Sequence, residues 1–277
     1  ICSDKTGTLT ENRLSVEAFR TDFAAPMSEE ERFSGTMPQA ELMRCVRACH
    51  TVKGRAGAYV GDPTEVALVE FADRLGFFAD FEPRGGTPFS SERKMMSVYA
   101  EDGRGVRLYV KGGADVVLRK CTRILTREGV RPLTSADLLA VQNCAAGFSS
   151  RAMRVLGFAC GDTERESSLV FLGLCAMLDP PKKGAKEAVA ACRRAGVRTV
   201  MITGDAPETA LAIAARLGIA KHLSQVVTGE ELDAMGEEEL SRRAAKYAVY
   251  ARVSPGHKQQ IVRALQREGE VVAMTGD

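Results

Sequence analysis

Residues 3–10 read SDKTGTLT. An aspartate is followed at once by a lysine, then by three threonines and a glycine, and neither a helical nor a strand period accounts for them. If residues 1–3 end a strand of an open parallel sheet, Asp4 stands at the carboxyl edge, where such sheets place their ligands. The rest of the sequence supports that placement.

From Asp179 onward, short apolar runs alternate with helical stretches. TVMIT at 199–203, AVYA at 248–251 and VVAMT at 271–275 read as strands. The stretches between them read as crossover helices of a parallel sheet. Helix 182–195 carries Ala188, Val189, Cys192 and Ala195 on one face. The next helix starts near Pro207 and stops at Gly218, and the third has Ser254 as N-cap candidate before Pro255. The middle, 13–178, has a different texture. KMMSVYAEDGRGVRLYVKG holds two period-2 segments around Asp102-Gly103, a hairpin signal. It places Val106, Leu108 and Val110 on one face and Arg107, Tyr109 and Lys111 on the other. Helical stretches such as 40–49 and 64–75 surround it. The expected organisation is an α+β domain, 13–178, inserted between residues 1–12 and 179–277 of an α/β domain.

Composition bounds the function. With 277 residues, 45% hydrophobic and 27% charged, the chain has the makeup of a globular protein of two domains. A net charge of +2, from 38 basic and 36 acidic side chains interspersed along the chain, gives no field that implies nucleic acid. The longest apolar run, 169–178, is half of the roughly 20 residues a membrane-spanning helix needs, so no membrane insertion is expected. No secretory leader is read at the N-terminus. Eight scattered cysteines read as reduced thiols in a cytoplasmic compartment. Cys45, Cys49 and His50 are close enough on a helix to suggest a metal, yet no second ligand pair with zinc spacing follows, which favours core packing.

Three expected strand ends are alike: Asp4-Lys5-Thr6, Thr203-Gly204-Asp205 and Thr275-Gly276-Asp277. Together at one sheet edge they suggest a phosphoryl site. An aspartyl carboxylate can accept a phosphoryl group covalently, which makes Asp4 the candidate nucleophile. Asp277 would help to hold Mg²⁺. Thr203 and the amides around Gly204 could bind phosphate oxygens, and Lys258 adds a cation in the first turn of a helix whose N-terminus already favours anions.

DKTGTLT, KGG, DPPK, TGD, ARVSPGHK and MTGD together resemble the large cytoplasmic loop of P-type cation ATPases, over essentially the whole chain. The resemblance implies a haloacid-dehalogenase-like Rossmannoid phosphorylation domain with an inserted nucleotide-binding domain. It implies ATP and Mg²⁺ as ligands, and Asp4 as the phosphorylated residue. Thr6, Thr203, Gly204, Asp205, Arg252 and Lys258 would line the phosphate site. Asp4, the Thr6 carbonyl and Asp277 would ligate Mg²⁺. DPPK and ARVSPGHK are most similar to the type II pumps, which include calcium pumps. In haloacid dehalogenase phosphatases, the enzyme alternative, the position two after the nucleophile is an acid/base Asp; here it is Thr6, so an acyl phosphate should persist.

The middle domain has no Gly-x-x-x-x-Gly-Lys-Ser/Thr loop, so its ATP site must be of another kind. A two-residue turn at Asp102-Gly103 would set Lys94 opposite Lys111, a pairing that is unfavourable unless an anion lies between them; the alternatives are that both side chains point into water or that the turn is longer. The resemblance implies that Phe89 stacks on adenine, that Lys94, Lys111 and Gly112 lie near the nucleotide, and that Glu65 and Arg154 make further contacts. Ser91 stands where calcium pumps often carry an arginine, and Arg93 is the expected substitute. Thr228-Gly229-Glu230 is similar to the loop of the family's actuator domain, but the Thr-x-x-Glu spacing reads as a capping box. The actuator and the transmembrane helices are then partners outside this chain, on the cytoplasmic side of a membrane. Ending inside the family's Gly-Asp-Gly-x-Asn-Asp segment, the chain alone is expected to be weakly active or inactive.

Overall fold

The computed structural model describes residues 1–23, 31–163 and 165–276. The backbone forms two compact units. One comprises Ile1–Arg13, Ser150–Ala152 and Asp179–Asp277, and the other Leu14–Ser149 and Met153–Leu178.

The chain begins with strand β1 (Cys2–Asp4). It then turns: Thr6 stays extended and Gly7 takes φ +74°, a left-handed conformation that strains any residue with a Cβ. That requirement accounts for the glycine behind Asp4-Lys5-Thr6.

The second unit follows, as β2 (Ser15–Arg20), α1 (Met37–Ala48), α2 (Pro63–Arg74), β3 (Glu82–Ser90), β4 (Met95–Asp102), β5 (Gly105–Gly113), α3 (Ala114–Leu118), β6 (Cys121–Thr126), β7 (Gly129–Pro132), α4 (Ser135–Ser149), β8 (Arg154–Gly161) and β9 (Leu169–Leu178). Its sheet runs β3-β4-β5-β8-β9-β6-β7, with β2 also beside β9. The apolar run 169–178 forms β9, and every residue of it is buried. Its first part pairs with β6 in parallel and its last part with β2 in antiparallel fashion. Gly173 allows β2 to come close, since a Cβ there would lie 2.4 Å from the Arg20 carbonyl oxygen.

Thr36 opens α1 through a capping box with Gln39. Asp62 opens α2 by accepting from the backbone N–H groups of Thr64 and Glu65, just before Pro63 at the first helical position. The two helices pack Leu42, Met43, Leu68 and Phe71 on Met96, Tyr109 and Phe158 of the sheet. Each such side chain contributes about 1.5–3 kcal/mol by burial. The other face is covered as well: a Cβ on Gly157 would touch Ala114 and Val117 of α3. A sheet covered on both sides does not sort apolar from polar residues by face. Tyr109 and Lys111, expected opposite the Leu108–Val110 face, are therefore also buried.

The β4–β5 hairpin departs from the expected register. Asp102 pairs with Gly105, and Met96, not Lys94, lies opposite Lys111. The two-residue turn is Gly103-Arg104, one position later than expected, because Gly105 takes φ +112° and carries the left-handed conformation there. Lys94 lies outside the strands, at φ +54°. Cys45 and Cys49 are core residues whose thiols face the carbonyls of Val110 and Met96. Burial pushes the Cys49 thiol up to about 12. Among the described residues no group of three His, Cys, Asp or Glu side chains could hold a metal.

The chain returns to the first unit with α5 (Ala185–Arg194), β10 (Val200–Ile202), α6 (Pro207–Leu217), β11 (Val226–Thr228), α7 (Gly229–Ala234), α8 (Glu237–Ala244), β12 (Val249–Ala251), α9 (Pro255–Arg267) and β13 (Met274–Thr275). The sheet order is β11-β12-β10-β1-β13, with every pairing parallel. Cys2, Val200, Ile202, Val227, Tyr250 and Ile261 form its core. Gly218 ends α6 at φ +76°. The expected strand 271–275 is reduced to two residues, and Val271 is fully exposed, since among the described residues β13 lies at the sheet edge and pairs with β1 alone. Among the described residues no helix is long and apolar enough to cross a membrane.

Candidate active site

At the carboxyl edge of the parallel sheet, Asp4 pairs in register with Ile202, so the Thr203-Gly204-Asp205 turn begins beside it. Lys258, in the first turn of α9, donates to Asp4 Oδ2. The N-cap places that lysine: His257 Nδ1 accepts from the Ser254 N–H at 3.0 Å, and His257 Nε2 lies 2.9 Å from Asp233. Thr203 is buried, and its hydroxyl accepts from the Asp205 N–H at 3.1 Å, which leaves its own proton to donate. Gly204 is exposed, with open space where a Cβ would stand.

The Lys5 side chain is buried. Its ammonium lies 2.7 Å from Asp205 and 3.8 Å from Asp179. Asp205 Oδ2 is buried without a well-aligned hydrogen bond, so its compensation is the Lys5 charge. Thr10 donates to Asp179 at 2.6 Å, and Lys182 donates to the Gly7 carbonyl. DKTGTLT, DPPK and TGD are thus tied by one ion cluster around the buried Lys5. Arg252 holds φ +49° while its N–H bonds the Asp205 carbonyl, and its side chain is exposed. Asp277, expected as a metal ligand, lies outside the described residues. Thr228 and Glu231 form the expected capping box of α7.

The second unit holds a cavity of about 650 Å³. Glu65, Phe89, Lys94, Lys111, Gly112 and Arg154 line it, together with Thr51, Asp62, Thr64, Pro88, Met96, Gly113, Val155 and Leu156. Phe89 is 59% exposed at its rim. Lys111 is buried at its base, 2.7 Å from Glu65 and 2.5 Å from the Cys49 carbonyl. Glu65 also accepts from the N–H and hydroxyl of Thr51, both at 2.8 Å. Burial works against its charge, but Lys111 and Thr51 outweigh that and lower its pKa. Arg154 donates to Thr64 at 3.0 Å. A Cβ on Gly112 would lie 2.5 Å from the Lys94 carbonyl oxygen, so only glycine fits there. Arg93 does not line the cavity and is turned to Glu166. Asp62 and Thr64 belong to the α2 N-cap, a signal visible in Gly-Asp-Pro-Thr-Glu. Nothing local in the sequence points to Thr51 or Leu156.

A parallel α/β unit with an aspartate at its carboxyl edge, interrupted by an α+β unit with a cavity, defines a haloacid dehalogenase-like protein with a large insertion. The family model described as haloacid dehalogenase-like hydrolase matches residues 124–264. The one described as P-type ATPase, cytoplasmic domain N, matches residues 39–184, over half of the chain. The chain belongs to the P-type ATPases. It is 38% identical over 290 residues to calcium-transporting ATPase 1 of Bacillus cereus, covering 100% of this chain and 32% of that protein. It is 38% identical over 301 residues to calcium-transporting ATPase type 2C member 1 of Homo sapiens, again 100% and 32%. Against cation-transporting ATPase pma1 of Synechocystis the identity is 37%, with 35% of that protein covered. The chain thus spans about a third of the length of these curated relatives.

Proposed function

We propose that the chain is the catalytic cytoplasmic part of an ATP-driven cation pump, in which the second unit binds ATP and Asp4 accepts its γ-phosphoryl group. The single observation carrying this reading is Asp4 at the sheet edge with one carboxylate oxygen held by Lys258, next to the Thr203–Asp205 turn. The free carboxylate oxygen attacks the γ-phosphorus. An O–P bond to Asp4 forms as the bond to the β,γ-bridging oxygen breaks, and the electron pair leaves with ADP. No proton moves in that step. The Thr203 hydroxyl and the backbone around Gly204 donate to the phosphoryl oxygens. Hydrolysis of the acyl phosphate needs a base to activate water, and Thr6 supplies none.

Mg²⁺ fits the donor set: the Asp4 carboxylate and the Thr6 carbonyl are hard oxygen ligands, and Asp277 would add a third. When bound, the ion neutralises charge on the phosphoryl group. In the cavity, Phe89 is the platform for the base and Lys94 and Arg154 are the cations toward the phosphates. The names of the relatives support calcium as the transported ion. The actuator domain and membrane helices of the full-length protein, with this chain on the cytoplasmic side, are part of the same proposal. The test is chemical trapping: after reaction with Mg-ATP, borohydride reduction should convert Asp4 to homoserine, located by peptide mass. Trapping at a residue other than Asp4 would contradict the assignment.

A further inference from the structure

The ladder between β3 and β4 is interrupted beside the cavity. Thr87 pairs with Ser97, and the next pair is Ser90 with Met95. Pro88, in the gap, has no N–H to contribute. Phe89 occupies the same gap, on the outermost strand of the sheet. Neighbouring ladder bonds therefore leave the aromatic residue unsecured at its own position.

A side-chain bridge spans the gap. Arg93 Nη1 donates to the Pro88 carbonyl at 3.5 Å, and Nη2 donates to both Glu166 oxygens at 2.5 and 2.6 Å. Ser97, buried on β4, donates its hydroxyl to Glu166 at 2.6 Å. The Arg93 N–H donates to Ser90 Oγ, closing the turn after Phe89. Burial opposes the charge of Glu166, but Ser97 and Arg93 outweigh it and lower its pKa. One carboxylate thus joins the turn after β3 to the interior of β4 without lining the cavity itself.

We propose that Glu166 is a positioning residue for nucleotide binding: by fixing the Arg93 guanidinium under the Pro88 carbonyl, it holds the Phe89 ring in place as a base platform. The proposal rests on the nucleotide reading of the cavity. A ring held before the base arrives loses less freedom on binding, so the brace acts on affinity through pre-organisation.

The test is a double-mutant cycle read by calorimetric titration of ATP into the 277-residue chain. Glu166→Ala should weaken ATP binding about fivefold when Phe89 is present and not at all in a Phe89→Ala background. Arg93→Met should repeat that pattern, which keeps the test open if Glu166→Ala fails to fold. Equal weakening in both backgrounds would mean a general structural role and would overturn the proposal, as would unchanged affinity in both variants. Failure of the nucleotide reading looks different: the unaltered chain would not bind ATP, or Phe89→Ala alone would bind it as well as the unaltered chain.

Discussion

The Lys111 ammonium lies 2.7 Å from the Glu65 carboxylate, and both side chains are less than a tenth exposed. Lys111 is therefore a structural cation at the base of the cavity as well as a candidate nucleotide contact. Lys111→Met should destabilise the chain by about 3 kcal/mol, because it leaves Glu65 buried without its counter-charge. Adding Glu65→Gln should restore part of that stability while leaving ATP binding weak. Urea unfolding of the single and double variants measures the first effect. A Lys111→Met variant as stable as the parent would refute the buried-pair reading.

His50 sets an acid limit. Its Nδ1 accepts from the Val52 N–H at 3.1 Å, which requires an unprotonated nitrogen. Burial, followed by the Lys111 charge, lowers its pKa from the ordinary 6.5. The unfolded chain then binds the proton more readily, so this contribution is complete above the ordinary value and is lost as pH falls below it. Melting curves should shift down below pH 6.5, and a His50→Gln variant should lose that part of the shift. An identical acid profile in His50→Gln would contradict this.

Much of this arrangement was legible because the signals are local. Pro207 starts its helix through its fixed φ, the Ser254-Pro255 pair and the Thr228–Glu231 box start theirs through contacts within a single turn, and the β9 run is apolar throughout. The hairpin register was not legible, because Asp102-Gly103 and Gly103-Arg104 are competing turns and Gly105 decides between them. The Lys5 cluster with Asp179 and Asp205, and the Arg93 brace to Glu166, join residues 73 or more positions apart, so no local pattern announces them.

Gly204 separates ligand geometry from folding. Its backbone is not in the left-handed region and a Cβ would meet nothing within 4 Å. Gly204→Ala should therefore change stability by less than about 0.5 kcal/mol while weakening phosphoryl transfer if the phosphate approaches that backbone. Thermal melting and phosphorylation, measured on the same preparation, decide it. A large loss of stability would show that the turn, and not a ligand, requires glycine.

On the proposed reading, the lifetime of the acyl phosphate depends on Thr6. Thr6→Asp places a carboxylate two residues after the nucleophile, where it can take the proton of an attacking water. Decay of the phosphorylated chain should accelerate by about tenfold or more. Chasing labelled protein with unlabelled ATP measures the decay, and an unchanged half-life would remove Thr6 from the explanation.

The central claim is a covalent phosphoryl group on Asp4. The direct measurement is incorporation of label from γ-labelled ATP with Mg²⁺, quenched in acid. The account predicts label that survives acid, is released by hydroxylamine, is absent when the α-phosphate carries the label, and disappears in Asp4→Asn. Label that persists in Asp4→Asn, or that resists hydroxylamine, would contradict it.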